Sequence, residues 1–221
     1  MRERRLMEIM HDTTSIYEEF FGTKEGECHS FSFFRRPIRN IEPLRCIDIP
    51  DIYRYIVRPY AKQQTETLRS ITDKDNARKY KAENFDFCTF SGIFRSRNKN
   101  DLLLHSELLC IDFDHVADIP SLKDRLLHDE YFETELLFRS PSGDGLKWIV
   151  AIDRKGWEHC RFYQAVYNYL VAKGYPAPDK SGSDVARSCF IPFDAEAYIN
   201  PKYKNLKDEN FFTTRMGECP F

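Results

Sequence analysis

Two aspartates, Asp112 and Asp114, close the run Leu-Leu-Cys-Ile-Asp-Phe-Asp-His at residues 108–115. A strand alternates its side chains between two faces, so both carboxylates share one face while Ile111 and Phe113 turn to the other. At ~3.3 Å rise per residue the pair is ~6.6 Å apart, near enough for both to hold metal ions ~3.5–4 Å from each other. Left unneutralised, such neighbours would push one carboxyl toward protonation, and a divalent cation removes that repulsion. Aspartate is disfavoured in strands, yet two of them end the most apolar strand of the chain. The plainer reading is a sheet with one solvated face, on which alternate acids carry no chemistry.

Two further stretches supply groups that suit such a pair. In Ser-Pro-Ser-Gly-Asp-Gly-Leu-Lys, residues 140–147, Gly143 and Gly145 bracket a tight turn whose N–H groups can converge on an anion. Ser140 and Ser142 add hydroxyl donors, and Lys147 projects from the strand leaving the turn, where it suits a triphosphate whose metal the acids hold. Residues 177–194 offer Asp179, Asp184 and Asp194 as a third carboxylate for a two-metal site, with Arg187 able to grip phosphate bidentately. Taken singly, these are also a hairpin with an exposed lysine and an ordinary polar loop.

The elements that must position these groups read as follows. "SFSFF" is strand-like, and 50–71 carries a helical pattern with Ile52, Tyr55, Ile56, Leu68 and Ile71 on one side, capped by Asp48 and kinked by Pro59. Residues 69–84 are polar, a loop with some helix. "FDFCTFSGIF" and "ELLCIDFD" are strands; "PSLKDRLLHD" is a short helix with Pro120 in its first turn; "TELLFRS" and "LKWIVAI" flank the Pro-Ser-Gly-Asp-Gly turn. "WEHCRFYQAVYNYLVAKG" is an amphipathic helix with Phe162, Val166, Tyr169 and Leu170 inward, ended by Gly174 and Pro176, and "SCFIPF" is a last strand. From the acidic strand onward the order is β, α, β, β, α, β. That makes an α+β protein with an RNA-recognition or ferredoxin-like βαββαβ core, helices on one sheet face and the other face open. The expected organisation is an N-terminal mixed α/β lobe at 1–84, the core at 85–200 and a tail or linker at 201–221.

Composition narrows the classes. With 42% hydrophobic and 14% aromatic residues the chain can bury a substantial core. No run approaches the ~18 apolar residues of a membrane span and the start lacks the apolar centre of a secretory signal, so a cytoplasmic location is expected. Seven cysteines with no CxxC pair read as reduced thiols. A net charge of −2 argues against coating nucleic acid by bulk attraction, but from Arg78 to Lys99 six basic residues face only Glu83 and Asp86.

The succession IDFDH, SPSGDGLK and PDKSGSDVAR…CF resembles the archaeo-eukaryotic primase superfamily, in its primase-polymerase branch. The upstream "LRSITD…KYKAENFDFCTFSGIF" and downstream "DAEAYIN" are similar to the VirE amino-terminal-like domain of mobile-element replication proteins. The likeness spans about residues 65–200. It implies a catalytic core of RNA-recognition type and a DNA primase/polymerase that transfers nucleotides by two-metal catalysis. Asp112 and Asp114 would bind Mg²⁺ or Mn²⁺, with Asp179 the best match for the third acid, Asp184 second and Asp194 third. Where the superfamily motif usually ends in a histidine that contacts the nucleotide phosphates, this chain has Lys147, which keeps the positive charge without a titratable imidazole. Lys147, Arg187, Ser140, Ser142 and the Gly143–Gly145 turn would hold the triphosphate, and Arg95, Arg97 and Lys99 would track template or primer phosphates. The implied partners are nucleoside triphosphates, single-stranded DNA and a helicase domain or subunit. The competing expectation is a catalytically weak nucleotide- or nucleic-acid-binding module of a replication helicase.

Overall fold

The computed structural model describes residues 29–203. Strands β1 (Phe31–Phe34) and β2 (Arg45–Ile47) come first, followed by helices α1 (Ile49–Val57), α2 (Lys62–Ser70) and α3 (Lys74–Asn84). Strands β3 (Phe87–Thr89), β4 (Gly92–Phe94), β5 (Leu102–His105) and β6 (Leu108–Phe113) lead to helix α4 (Ile119–Leu127). Then come β7 (Thr134–Arg139), β8 (Leu146–Ala151), helix α5 (His159–Ala172), β9 (Cys189–Phe190) and β10 (Tyr198–Ile199).

Local chemistry explains the helix boundaries. Asp48, Asp73 and Asp118 each stand before a helix in a non-helical conformation and accept the N–H of Asp51, Asn76 and Ser121 at 2.8–3.0 Å, satisfying donors that a helix start leaves free. Pro59 cannot donate to the preceding turn, so the pattern expected as one kinked helix is divided into α1 and α2 by a 3₁₀ turn at Pro59–Ala61. The polar stretch expected to be partly loop is mainly α3, which buries no residue.

Two antiparallel four-stranded sheets, in the orders β2-β1-β3-β9 and β10-β7-β8-β6, and a two-stranded β4-β5 ribbon form the α+β framework. One face of β6-β8-β7 carries Leu109, Ile111, Phe113, Trp148, Val150 and Leu137 against Leu122 and Leu126 of α4 and Tyr163, Val166 and Leu170 of α5. The other face presents Leu108, Ile149, Leu136 and Phe138 to Phe31, Phe33, Cys88 and Phe90 and to Ile52, Tyr55 and Ile56 of α1.

The core therefore differs from the expected arrangement in two ways. The β, α, β, β, α, β order is present, but β9 pairs with β3 rather than joining the sheet of β6. The face expected to be open is largely covered by the first sheet and α1. Both follow from pairings between residues about a hundred positions apart, which no local pattern encodes. "FDFCTFSGIF" is also two strands, because the chain turns at Phe90–Ser91.

Candidate metal centre

The acids lie where β6 emerges between the two sheets. Leu108, Cys110 and Asp112 share the face toward the first sheet; the first two pack into its core, and Asp112 stands at the mouth. Asp114 follows the strand and is exposed. Asp179 arrives from a distant loop. Its N–H donates to the Asp112 carbonyl at 2.8 Å and its own carbonyl accepts the Tyr163 hydroxyl at 2.6 Å, which ties this loop to both β6 and α5. Ligand atoms of Asp112, Asp114 and Asp179 all lie within 4.8 Å of one another.

Each carboxylate has its own electrostatic setting. Burial lifts the Asp112 pKa above the ordinary carboxylate value; the Lys147 ammonium opposes that lift, and Asp114 and Asp179 add to it. Asp112 Oδ1 is buried and has no hydrogen-bond partner. Partial burial works against the charge of Asp179, but the Ser181 hydroxyl and backbone N–H both donate to it and, with Arg187 at 3.3 Å, they hold its pKa below the usual range. Ser181 is placed because Asp179 caps the 3₁₀ segment Lys180–Ser183. Three carboxylates, one with an unsatisfied buried oxygen and one braced by neighbouring donors, form an oxygen-rich donor set that suits a hard divalent cation.

Lys147 is directly opposite Asp112 in the β6–β8 ladder and forms an ion pair with it. Burial alone would drive this lysine toward neutrality, but the Asp112 carboxylate outweighs it and keeps the ammonium protonated well above its ordinary pKa. The repulsion expected to require a metal is thus already partly relieved by a protein cation. A small cleft opens beside this pair, lined by Asp112, Lys147, Ser181, Arg187, Ser188 and Cys189 among others. The Ser188 hydroxyl oxygen is buried without a partner.

The Gly143–Gly145 turn does not line that cleft. Gly143 N–H donates to the Ser140 carbonyl at 2.9 Å, and the turn's carbonyls accept from Arg69 and Arg139 at 2.7–3.2 Å, so the turn is closed on itself. Gly145 answers a packing demand, because a Cβ there would collide with the Phe113 carbonyl oxygen. Ser140 is buried with an unpartnered hydroxyl oxygen and Ser142 is exposed. His115 donates to Asp144 at 2.7 Å, fastening the turn beside Asp114.

The other predicted positions divide. Arg187 is half-exposed at the cleft. Asp184 donates its backbone N–H to Ser181 and accepts from Ala186, and Asp194 accepts the Arg139 N–H; neither joins the three acids. Arg97 is committed to the fold, with its guanidinium donating to the Ile38 carbonyl at 2.7 Å and lying over the Phe87 ring at 5.4 Å. Arg95 and Lys99 are exposed. Sequence reasoning missed Ser181 and Ser188 as site residues. An Asp followed two positions later by Ser is a capping pattern, and it was the available signal for the first.

The model of the BT4734-like, N-terminal domain family matches residues 80–199, more than half of the chain, and spans every acid of the site. The chain belongs to this family. No curated protein and no solved structure matches it. The family match begins within α3 and ends at β10, so this BT4734-like N-terminal domain includes the whole second sheet together with β3 and β9 of the first. Among the described residues, no helix is long and apolar enough to cross a membrane.

Proposed function

We propose that this domain performs template-directed nucleotidyl transfer as a primase-polymerase, with Asp112, Asp114 and Asp179 holding Mg²⁺ or Mn²⁺. The observation that carries the reading is the convergence of these acids from two separate segments around the unpartnered Oδ1 of Asp112. When bound, the ions would neutralise charge on the attacking 3′-hydroxyl and on the pyrophosphate leaving group. Lys147 opposes the burial that favours a protonated Asp112, and so supports the ionised state that a metal ligand needs. Ser181 and Arg187 orient Asp179, and the exposed part of the Arg187 guanidinium remains available to a phosphate oxygen. Arg95 and Lys99 are the exposed cations suited to template phosphates, while Arg97 holds their loop. A helicase, as a further domain or a separate subunit, would supply single-stranded DNA, and chemistry of this kind suits the cytoplasm.

The Asp112–Lys147 pair favours a second reading, a nucleotide-binding module with little activity, because it neutralises the strand acid without any metal. Protein supplied with Mn²⁺, a single-stranded template and labelled nucleotides distinguishes the two. Primer elongation that disappears in Asp112→Ala/Asp114→Ala is expected. Nucleotide binding without elongation would establish the accessory module instead, and elongation that survives the double substitution would defeat the assignment.

A further inference from the structure

The face of the first sheet that turns away from the acid cleft gathers charge of the opposite sign. Cys88 and Cys189 are partners across β3 and β9 and point into the core between the sheets, so strand alternation sends Phe87 and Phe190, also partners, to the outer face. The two rings meet edge to face at 6.2 Å, with the Arg97 guanidinium 5.4 Å from the centroid of Phe87 and the Lys81 ammonium 5.8 Å from that of Phe190. The 95–101 loop and the last turn of α3 therefore lie next to each other over one pair of rings. Residues 35–41 close against both. Ile38 N–H donates to the Ala82 carbonyl at 2.7 Å, and Arg97 donates its N–H to the Ile41 carbonyl at 2.8 Å and its guanidinium to the Ile38 carbonyl at 2.7 Å.

Three segments are thus locked into one surface, and its cations are not all compensated. Arg35 pairs with Asp86 and Arg39 with Glu83. Arg36, Arg95 and Lys99 are exposed and, among the described residues, have no carboxylate within ion-pair distance; the Arg36 guanidinium reaches only the Asn84 carbonyl at 3.5 Å. Cations held together without matching acids repel one another, and a polyanion relieves that repulsion while releasing its own counterions. The surface also lacks rings to stack on. Among the described residues Tyr60, Tyr131 and Trp157 are the exposed aromatics and none belongs to these segments, while Phe34 and Phe87 are fully buried. Single strands are gripped through bases stacked on aromatic side chains, whereas a duplex keeps its bases stacked on each other and offers its phosphates. Charge without rings suits the duplex.

Resting on the nucleotidyl-transfer reading above, we propose that Arg36 joins Arg95 and Lys99 in a second site, separate from the acid cleft, that holds the phosphate backbone of a duplex stretch of the substrate while the cleft acts on its single-stranded part. Arg36 stands outside the family-matched residues, so the site is shared between the family domain and the segment before it. Anisotropy of a labelled duplex and of a single strand of equal length is measured over a salt series in chelator, which keeps metal out of the cleft, and primer elongation is measured separately with Mn²⁺. Wild type is expected to bind the duplex more tightly than the single strand. In Arg36→Gln/Arg95→Gln/Lys99→Gln duplex affinity should fall about tenfold or more, and the dependence of log affinity on log salt should flatten by about three; Arg36→Gln alone should flatten it by about one and Arg36→Lys should keep the wild-type slope. An unchanged slope in Arg36→Gln and in the triple variant would overturn the site and, with elongation present in wild type, leave the catalytic reading standing. Tighter binding of the single strand would overturn the duplex assignment. The expected binding in a wild-type protein that elongates no primer would overturn the catalytic reading and leave the duplex site in place.

Discussion

Lys147 illustrates how one side chain can serve either stability or ligand binding according to what occupies the site. Its ammonium and a metal ion seek the same Asp112 carboxylate, and the register that places them across from each other leaves little room for indifference. Removing one member of a largely buried pair strands the other charge, a loss of roughly 3 kcal/mol. Lys147→Met is therefore expected to unfold at lower urea concentration than wild type in chelator, and to regain more stability than wild type does when Mn²⁺ is added. An equal Mn²⁺ increment in the two proteins would show that ion and ammonium do not compete for Asp112. The residue types of this site were readable in the sequence: the Asp-x-Asp spacing set a shared face, and Asp179 was the first of three candidate acids by its place ahead of Arg187. The partner of Lys147 was not readable, because a ladder register depends on a strand thirty-five positions away.

The segment 179–190 is held by a chain of contacts running away from the acids. A Cβ at Gly182 would collide with the Tyr163 ring, and the Gly182 carbonyl accepts from His159 Nε2 at 3.0 Å. His159 Nδ1 in turn meets His105 Nε2 at 3.0 Å, and Glu107 N–H donates to His105 Nδ1 at 3.0 Å. These contacts fix the tautomers: each imidazole accepts at Nδ1 and donates from Nε2, so both rings must be neutral. Burial, reinforced by Arg154 and the neighbouring ring, pushes the His105 pKa down to about 3, and burial likewise lowers His159, opposed by the Gly182 bond and by Asp184 and Glu107. A histidine whose folded pKa lies below its unfolded value of 6.5 contributes stability above that value and loses it as the pH falls. Urea midpoints should accordingly fall between about pH 6.5 and pH 3, with a shallower slope in His105→Gln. An unchanged slope in that variant would remove the histidines as the cause. Helix positions were legible here, since caps and apolar spacing are local, whereas the short strands β2, β5 and β10 were overlooked because two to four residues carry too little pattern.

The cleft exists because two sheets meet, and neither sheet makes it alone. Strand β2 pairs with β1, β1 with β3 and β3 with β9, so residues before 84 complete a sheet whose other half belongs to the family-matched segment. A chain limited to residues 85–203 would uncover Cys88, Phe90, Leu136, Phe138 and Ile149, all buried in the full protein. Exposing that much apolar surface outweighs the margin by which a domain of this size is stable. The shortened chain should bind a hydrophobic dye, show poor amide dispersion in NMR spectra and bind no Mn²⁺. A dispersed spectrum with intact Mn²⁺ binding would show that the first sheet is dispensable to the site.

What the sequence determined by itself is whatever rests on spacing within one element: Asp112 and Asp114 on one face of an apolar strand, the aspartate caps, the helix broken at Pro59, and the α+β alternation. Tertiary structure alone decided that Asp179, and neither Asp184 nor Asp194, joins them, that Lys147 pairs with Asp112, that Arg69 and Arg139 take up the carbonyls of the Gly143–Gly145 turn, and that β9 leaves the sheet of β6. The physical reason is common to all four. Periodicity is set by backbone geometry over a few residues, but which distant backbone groups satisfy one another depends on how whole sheets share a buried core.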